Sequence, residues 1–331
     1  YNIGIYGVGN FGYAILKHLA KQKSNHNIFC YDRNSKVRDY LKNNNKHPFL
    51  HTKISINRRI KVCDDPKNLI LNSDILVLAV NSYAIESICN NLKKYHRKGI
   101  IVINTAKALL YPSCMTISQL LNKKLKNINF KYIMLAGGTI ANDLFLHEPL
   151  GVNIASNCNS SLDIVQNIFK SSNLKVYKSS DLLGVEYASS FKNIISILAG
   201  VINGFGYSFG SETHIISRAS GEIKKLVVNY YGGKDETFST ESQCWGNDMW
   251  MSSLGSSRNR KLGVLIAQLN SFSEAIMKSK KNNMTVEGAE TFKCLKTLIN
   301  KKEKEFKLLN KIANLCLKSN PKKEIEELFK I

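Results

Sequence analysis

Gly7-Val8-Gly9-Asn10-Phe11-Gly12 is the stretch that decides the fold of this chain. It is a GxGxxG, and the residues on either side give that spacing its meaning. Asn2–Tyr6 before it is an apolar run of strand length, and Phe11–Gln22 after it repeats Ile15, Leu16, Leu19 and Ala20 at helix spacing. A strand, a glycine turn and a helix in this order are the context that marks a dinucleotide-binding turn. Gly7 permits the tight turn, Gly9 lets the backbone approach a pyrophosphate, and Gly12 lets the helix sit close to the sheet. The start of the helix then offers N–H groups and the positive end of its dipole to the phosphates.

Outward from the turn, strand and helix patterns alternate. Ile28–Tyr31 reads as a second strand that runs into Asp32-Arg33. An acid at this point suits the adenosine ribose of NAD, whereas an Arg suits the extra phosphate of NADP, so both cofactors stay open. Val37–Asn43 reads as a short helix opened by Ser35. Asp74–Val80 is a strand, with Ser82 as the cap of a helix over Ile85–Leu92, and Gly99–Asn104 and Tyr132–Ala136 are further strands. Repeated βα units predict a parallel sheet covered by helices on both faces, an α/β Rossmann doubly wound domain over residues 1–182. After about Asp181 the strand patterns stop. Val185–Ala199, His214–Tyr230, Leu262–Ser279, Glu287–Asn300 and Glu324–Phe329 read as helices, which predicts an all-α C-terminal domain over 183–331.

Length and composition bound the rest. A chain of 331 residues suits two domains, each able to bury a core. The longest apolar runs, such as Ile75–Val80 and Ile100–Ile103, are strand-sized, so no membrane span is expected. The N-terminus has no signal-peptide layout; it opens on Tyr1 rather than Met, which suggests that the natural protein begins slightly upstream. Eight cysteines (Cys30, Cys63, Cys89, Cys114, Cys158, Cys244, Cys294 and Cys316) are scattered without a CxxC pair, which argues against a disulfide framework or a metal site and for a reducing compartment. The net charge of +22 would fit nucleic acid or an anionic membrane. Because Lys is spread along the whole chain and no nucleic-acid motif accompanies it, the charge reads instead as compositional bias, with a field that attracts phosphorylated substrates.

Several separated segments carry a resemblance. Gly137-Gly138-Thr139-Ile140-Ala141, Ser190-Phe191-Lys192-Asn193-Ile194-Ile195, Asp248, Ser257-Arg258-Asn259-Arg260 and Val286-Glu287-Gly288 follow the opening glycine turn in one order. Together they closely resemble the bacterial glycerol-3-phosphate dehydrogenase family from Gly7 to about Lys293. That resemblance implies hydride transfer between NAD(P)H and the C2 carbonyl of dihydroxyacetone phosphate, giving sn-glycerol 3-phosphate for phospholipid synthesis in the cytoplasm. It places Lys192, Asp248 and Lys107 in catalysis. It places Gly7, Gly9, Asn10, Phe11, Gly12, Arg33, Lys107, Ala141, Arg258 and Glu287 on the cofactor, and Lys107, Gly137, Thr139, Lys192, Asp248, Ser257, Arg258 and Asn259 on the substrate. The oligomeric state is left open, a homodimer being one candidate.

The chemistry of these residue types agrees with those roles. A ketone that accepts hydride becomes an alkoxide and needs both a proton and nearby positive charge, which an ammonium supplies. Lys192 sits in an otherwise apolar helical run, where a charge costs free energy unless it is paired. A guanidinium presents parallel donors to phosphate oxygens, which suits Arg258. The chain departs from the family pattern at Gly138, where Pro is usual, at Ala108, where Gly is usual, at Ser252, where Thr is usual, and across Gln243–Asn247. The residues alone leave two alternatives: a different short hydroxy acid or ketoacid on the same fold, or a basic surface recruited for binding on a decayed enzyme.

Overall fold

In a computed structural model of the chain, the structure describes residues 1–22, 25–50, 60–282, 284 and 286–331. The chain divides into two compact units. The first comprises Tyr1–Ala106 and Ile117–Leu182, and the second Lys107–Thr116 and Leu183–Ile331.

The first unit is a single sheet with helices. Its strands are β1 (Asn2–Tyr6), β2 (Asn27–Tyr31), β3 (Ile60–Val62), β4 (Ile75–Leu78), β5 (Ile100–Asn104), β6 (Phe130–Ala136), β7 (Leu150–Ala155) and β8 (Leu174–Ser179). They lie in the order β3-β2-β1-β4-β5-β6-β7-β8. Every pairing is parallel except β6 with β7. The connecting helices are α1 (Asn10–Lys21), α2 (Ser35–Asn44), α3 (Pro66–Leu71), α4 (Ile85–Tyr95), α5 (Ile117–Lys124), α6 (Ala141–Leu146) and α7 (Asn159–Phe169). The order therefore turns back at β1 and β4, and ligands of doubly wound folds bind at the carboxyl ends of strands at such a reversal.

Burial explains which strands the sequence displays. All residues of β4 and β5 are buried, so these central strands read as apolar runs, broken only at Asn104 at the end of β5. At the sheet edge β8 alternates Leu174 and Val176 inward with Lys175 and Tyr177 outward, and β7 is interrupted by Gly151 and Asn153. Those two strands and the three-residue β3 escape a search for continuous apolar runs. Two expected caps also move by a residue or more. Asn34, not Ser35, caps α2 by accepting the Lys36 N–H at 3.0 Å, and Ser82 lies in a short 3-10 turn ahead of α4 instead of capping it. At α2 the neighbouring Asn34 already sits where the cap is needed, whereas α4 starts behind Ala84 with no side-chain cap.

The second unit is helical: α8 (Leu182–Gly204), α9 (Phe209–Tyr230), α10 (Asp248–Leu254), α11 (Arg258–Leu269), α12 (Phe272–Lys281), α13 (Gly288–Leu298), α14 (Lys307–Leu317) and α15 (Pro321–Leu328). The expected single helix over Leu262–Ser279 is two. Asn270 takes a left-handed conformation at φ 46°, ending α11, and the Ser271 side chain accepts the Glu274 N–H to start α12. By length and composition α8 is apolar enough to cross a membrane, contrary to the expectation that no segment is. Its apolar window is entirely buried inside the protein, so it reads as the core helix of its unit.

Candidate active site

Lys192 enters the second unit's core because α8 is apolar on nearly every side. Ile194, Ile195, Ile197 and Leu198 around it are fully buried, and Lys192 itself is only 6% exposed. An ammonium there requires partners, and it has them. Its Nζ donates to Asp248 Oδ1 at 2.8 Å and to Ser252 Oγ at 2.7 Å. Asp248 Oδ2 accepts from Lys107 Nζ, also at 2.8 Å. One carboxylate, 0% exposed, thus holds two ammonium groups, one on each oxygen. Burial drives the Asp248 carboxyl up, but the ammonium groups of Lys107 and Lys192 outweigh it and hold the group below the usual carboxylate range. Burial lowers the Lys192 ammonium, Asp248 raises it and Lys107 lowers it again, with a net value below that of a free lysine.

Local structure aims these groups. Gln243–Asn247, one of the stretches expected to depart from the family pattern, forms a π-helical turn, with the Asn247 N–H donating to the Ser242 carbonyl at 3.1 Å. That turn feeds directly into Asp248 at the start of α10, and such turns recur at functional sites. Ser252 follows Asp248 by one helical turn and so shares its face.

A second layer fixes the surroundings. The Lys107 main chain is clamped at both ends: its N–H donates to Glu287 Oε2 at 3.2 Å and its carbonyl accepts from Asn193 Nδ2 at 2.8 Å. Asn193 Oδ1 in turn accepts from Asn259 Nδ2 at 2.8 Å, while the buried Asn259 Oδ1 has no partner among the described residues. Ser257 caps α11 by accepting the Arg260 N–H at 3.1 Å, and its hydroxyl donates to the Ser252 carbonyl at 2.7 Å. Arg258 occupies the first position of α11 and is exposed, and among the described residues its guanidinium has no ion pair. A cation at a helix N-terminus suits an anion by charge and by dipole.

The first unit carries the remaining expected residues. Gly7 has φ +94°, and a Cβ there would lie 2.6 Å from the Ala79 carbonyl oxygen. A Cβ on Gly12 would come within 2.0 Å of the Gly7 carbonyl oxygen, so α1 closes on the turn only because both are glycine. A Cβ on Gly9 would meet nothing within 4 Å, which leaves its face of the turn open to the approach of a pyrophosphate. Gly9 also caps α1 without a side chain of its own to occupy the first amides, Asn10 among them. Asp32, at the end of β2, accepts from the Val8 N–H at 2.8 Å and from the Asn34 N–H at 2.9 Å, fixing the turn from beneath. Arg33 beside it is exposed. These features fit a dinucleotide. Phe11 packs on the core and, with Thr139, lines a small apolar cavity. Gly137, Thr139 and Ala141 lie on the turn from β6 into α6.

The structure therefore brings Lys107, Lys192, Asp248, Asn259 and Glu287 into one bonded network and links Ser257 to it through Ser252. Asn193 joins Lys107 to Asn259, a role the sequence reading did not assign, although its place next to Lys192 was the available signal.

Comparison with known proteins shows the family. Residues 2–162 match the family described as NAD-dependent glycerol-3-phosphate dehydrogenase N-terminus, and residues 181–327 match the corresponding C-terminus. The glycerol-3-phosphate dehydrogenase [NAD(P)+] of Fusobacterium nucleatum is 31% identical, with 99% of this chain and 96% of that protein covered. The one from Clostridium acetobutylicum is 32% identical over 98% of this chain and 95% of that protein. The crystal structure of glycerol-3-phosphate dehydrogenase from Coxiella burnetii has the same fold, with a TM-score of 0.88 at 21% identity over 100% of this chain and 99% of that one.

Proposed function

This chain belongs to the NAD-dependent glycerol-3-phosphate dehydrogenase family and is an NAD(P)-dependent oxidoreductase, and from that premise we propose that it reduces dihydroxyacetone phosphate to sn-glycerol 3-phosphate. The observation that carries the site assignment is the buried Lys192–Asp248–Lys107 constellation. Residues 1–182 serve dinucleotide binding and 183–331 substrate binding and catalysis, with Lys107 contributing from the loop after β5.

A bound nicotinamide dinucleotide supplies the hydride for C2, and its phosphates suit the Gly7–Gly12 turn. Lys192 does the proton chemistry. An ammonium has three N–H donors; Asp248 and Ser252 take two, and the third is left for the carbonyl oxygen. As negative charge grows on that oxygen, Lys192 donates its proton, made more acidic by burial and by Lys107. Asp248 keeps the ammonium oriented and balances one of the two positive charges. The exclusion of water from a side chain this buried strengthens each of these interactions. Arg258, Asn259 and the N-terminus of α11 take the substrate phosphate, with Ser257 setting the turn that presents them. The same reading carries a cytoplasmic location and supply of glycerol 3-phosphate to glycerophospholipid synthesis.

The test is spectrophotometric: oxidation of NADH and of NADPH by the purified protein with dihydroxyacetone phosphate, beside unphosphorylated dihydroxyacetone. Turnover with a strong preference for the phosphorylated ketone is expected. Arg258→Gln should reduce that preference by on the order of a hundredfold, the cost of truncating a charged hydrogen-bonding pair. Absence of NAD(P)H oxidation with dihydroxyacetone phosphate would overturn the assignment.

A further inference from the structure

The stretch Gly255–Lys261 holds three cations, Arg258, Arg260 and Lys261, but their surroundings are not equivalent. Arg258 is exposed at the head of α11. Arg260, two residues on and so on a different face of the helix, is turned into the protein. Its Nη1 donates to Glu212 Oε1 and its Nη2 to Glu212 Oε2, the latter at 3.0 Å, and Nη1 also donates to the Ser253 carbonyl. Glu212 comes from the first turn of α9, and its side chain is 1% exposed.

The main chain of Arg260 is held as firmly. Its N–H goes to the Ser257 hydroxyl, and α8 presses against its carbonyl at Gly200, where a Cβ would come within 2.1 Å of that oxygen. One residue thus ties α8, α9 and α10 to the start of α11. A buried carboxylate is costly without a partner, and a bidentate guanidinium is the partner whose geometry matches it. The pair is neutral as a whole, and three of the guanidinium's five donors are directed at protein oxygens, so Arg260 is committed to the protein and not to a dianion.

We propose that Glu212 is a positioning residue for phosphate recognition: by holding Arg260 it fixes the Ser257–Asn259 turn and leaves Arg258 as the cation that reads the substrate phosphate. This rests on the reading above that a phosphorylated ketone binds at Arg258. Without the carboxylate, Arg260 is released into the anion loop and the turn loses its anchor.

The experiment compares kcat/KM for dihydroxyacetone phosphate with that for dihydroxyacetone in the parent protein, in Glu212→Gln and in Arg260→Lys. The Lys variant keeps a positive charge opposite Glu212 but not the fork. In both variants the ratio should fall by about tenfold to a hundredfold, as small displacements of a binding group do. The fall should come from a raised KM for the phosphorylated ketone with kcat little changed, and inhibition by inorganic phosphate should weaken in parallel. General destabilisation would instead lower kcat for both substrates alike. If Glu212→Gln does not yield folded protein, Glu212→Asp is scored the same way. A parent that prefers dihydroxyacetone phosphate, with variants whose ratio stays within twofold of it, overturns the role of Glu212 alone. A parent without that preference overturns the phosphate reading itself, and this inference with it.

Discussion

Replacing Asp248 by Asn isolates the charge of the carboxylate from its shape. Asp248 lies 2.8 Å from each of two ammonium nitrogens. At that distance, and with an effective dielectric of about 20, each contact is worth about 6 kcal/mol of attraction. Asn removes both attractions and leaves two cations beside each other. Removing one partner of a buried pair costs about 3–5 kcal/mol, unless the stranded group gives up its charge. The side chain of Lys107 is 17% exposed and that of Lys192 only 7%, so Lys107 keeps water as a substitute partner and Lys192 does not. Lys192 is therefore the group that loses its proton, and a neutral amine cannot protonate an alkoxide. The loss of general-acid catalysis lowers kcat by about 10²–10⁴-fold. The assay is steady-state NADH oxidation with dihydroxyacetone phosphate near pH 7, with NADH affinity by fluorescence as the control, which should hold because the glycine turn lies in the other unit. A variant that kept kcat within about tenfold of the parent, with an unchanged pH profile, would refute the claim that Asp248 keeps Lys192 charged.

The remaining predictions concern titration and the glycine turn. Because Lys192 is held below the free-lysine value of about 10.4, ketone reduction should decline as pH rises through a limb lying below that value, while alcohol oxidation, which needs the neutral amine, should rise over the same limb; a reductive limb at or above 10.4 contradicts the assignment. Asp248 is held below its ordinary value of about 3.9, so its contribution to stability is complete above that pH and is lost as pH falls through the lower folded value; urea midpoints should show that acid step in the parent and lack it in Asp248→Asn. Gly9→Ala should leave the melting temperature within about 2 °C of the parent, since the new Cβ meets nothing within 4 Å, while weakening NADH binding. Gly12→Ala drives a Cβ to 2.0 Å from the Gly7 carbonyl oxygen and should cost about 1–3 kcal/mol of stability, read as a lowered urea midpoint.

Much of this molecule is written in short stretches. The Gly7–Gly12 turn, the apolar runs of β4 and β5, and the helix periodicity after Asp181 are local patterns, and local patterns are legible because strand and helix each impose their own spacing. Edge strand β8 was hidden because one face of it meets solvent and carries Lys175 and Tyr177. The division between α11 and α12 was hidden because the apolar period runs on past Asn270, and only its left-handed backbone ends the helix. Family motifs pointed to Lys192, Asp248 and Lys107, but nothing in the order of residues says that one carboxylate receives both ammonium groups. Those contacts join positions 56 and 141 residues apart, and the Glu212–Arg260 fork joins positions 48 apart. Ion pairs of this kind exist only once burial has removed water as the competing partner, and burial is a property of the packed chain. Residue order thus determined which groups were available and the helices and strands that carry them, while tertiary packing alone decided which charges are neutralised, which lysine is made acidic and which arginine is left facing solvent.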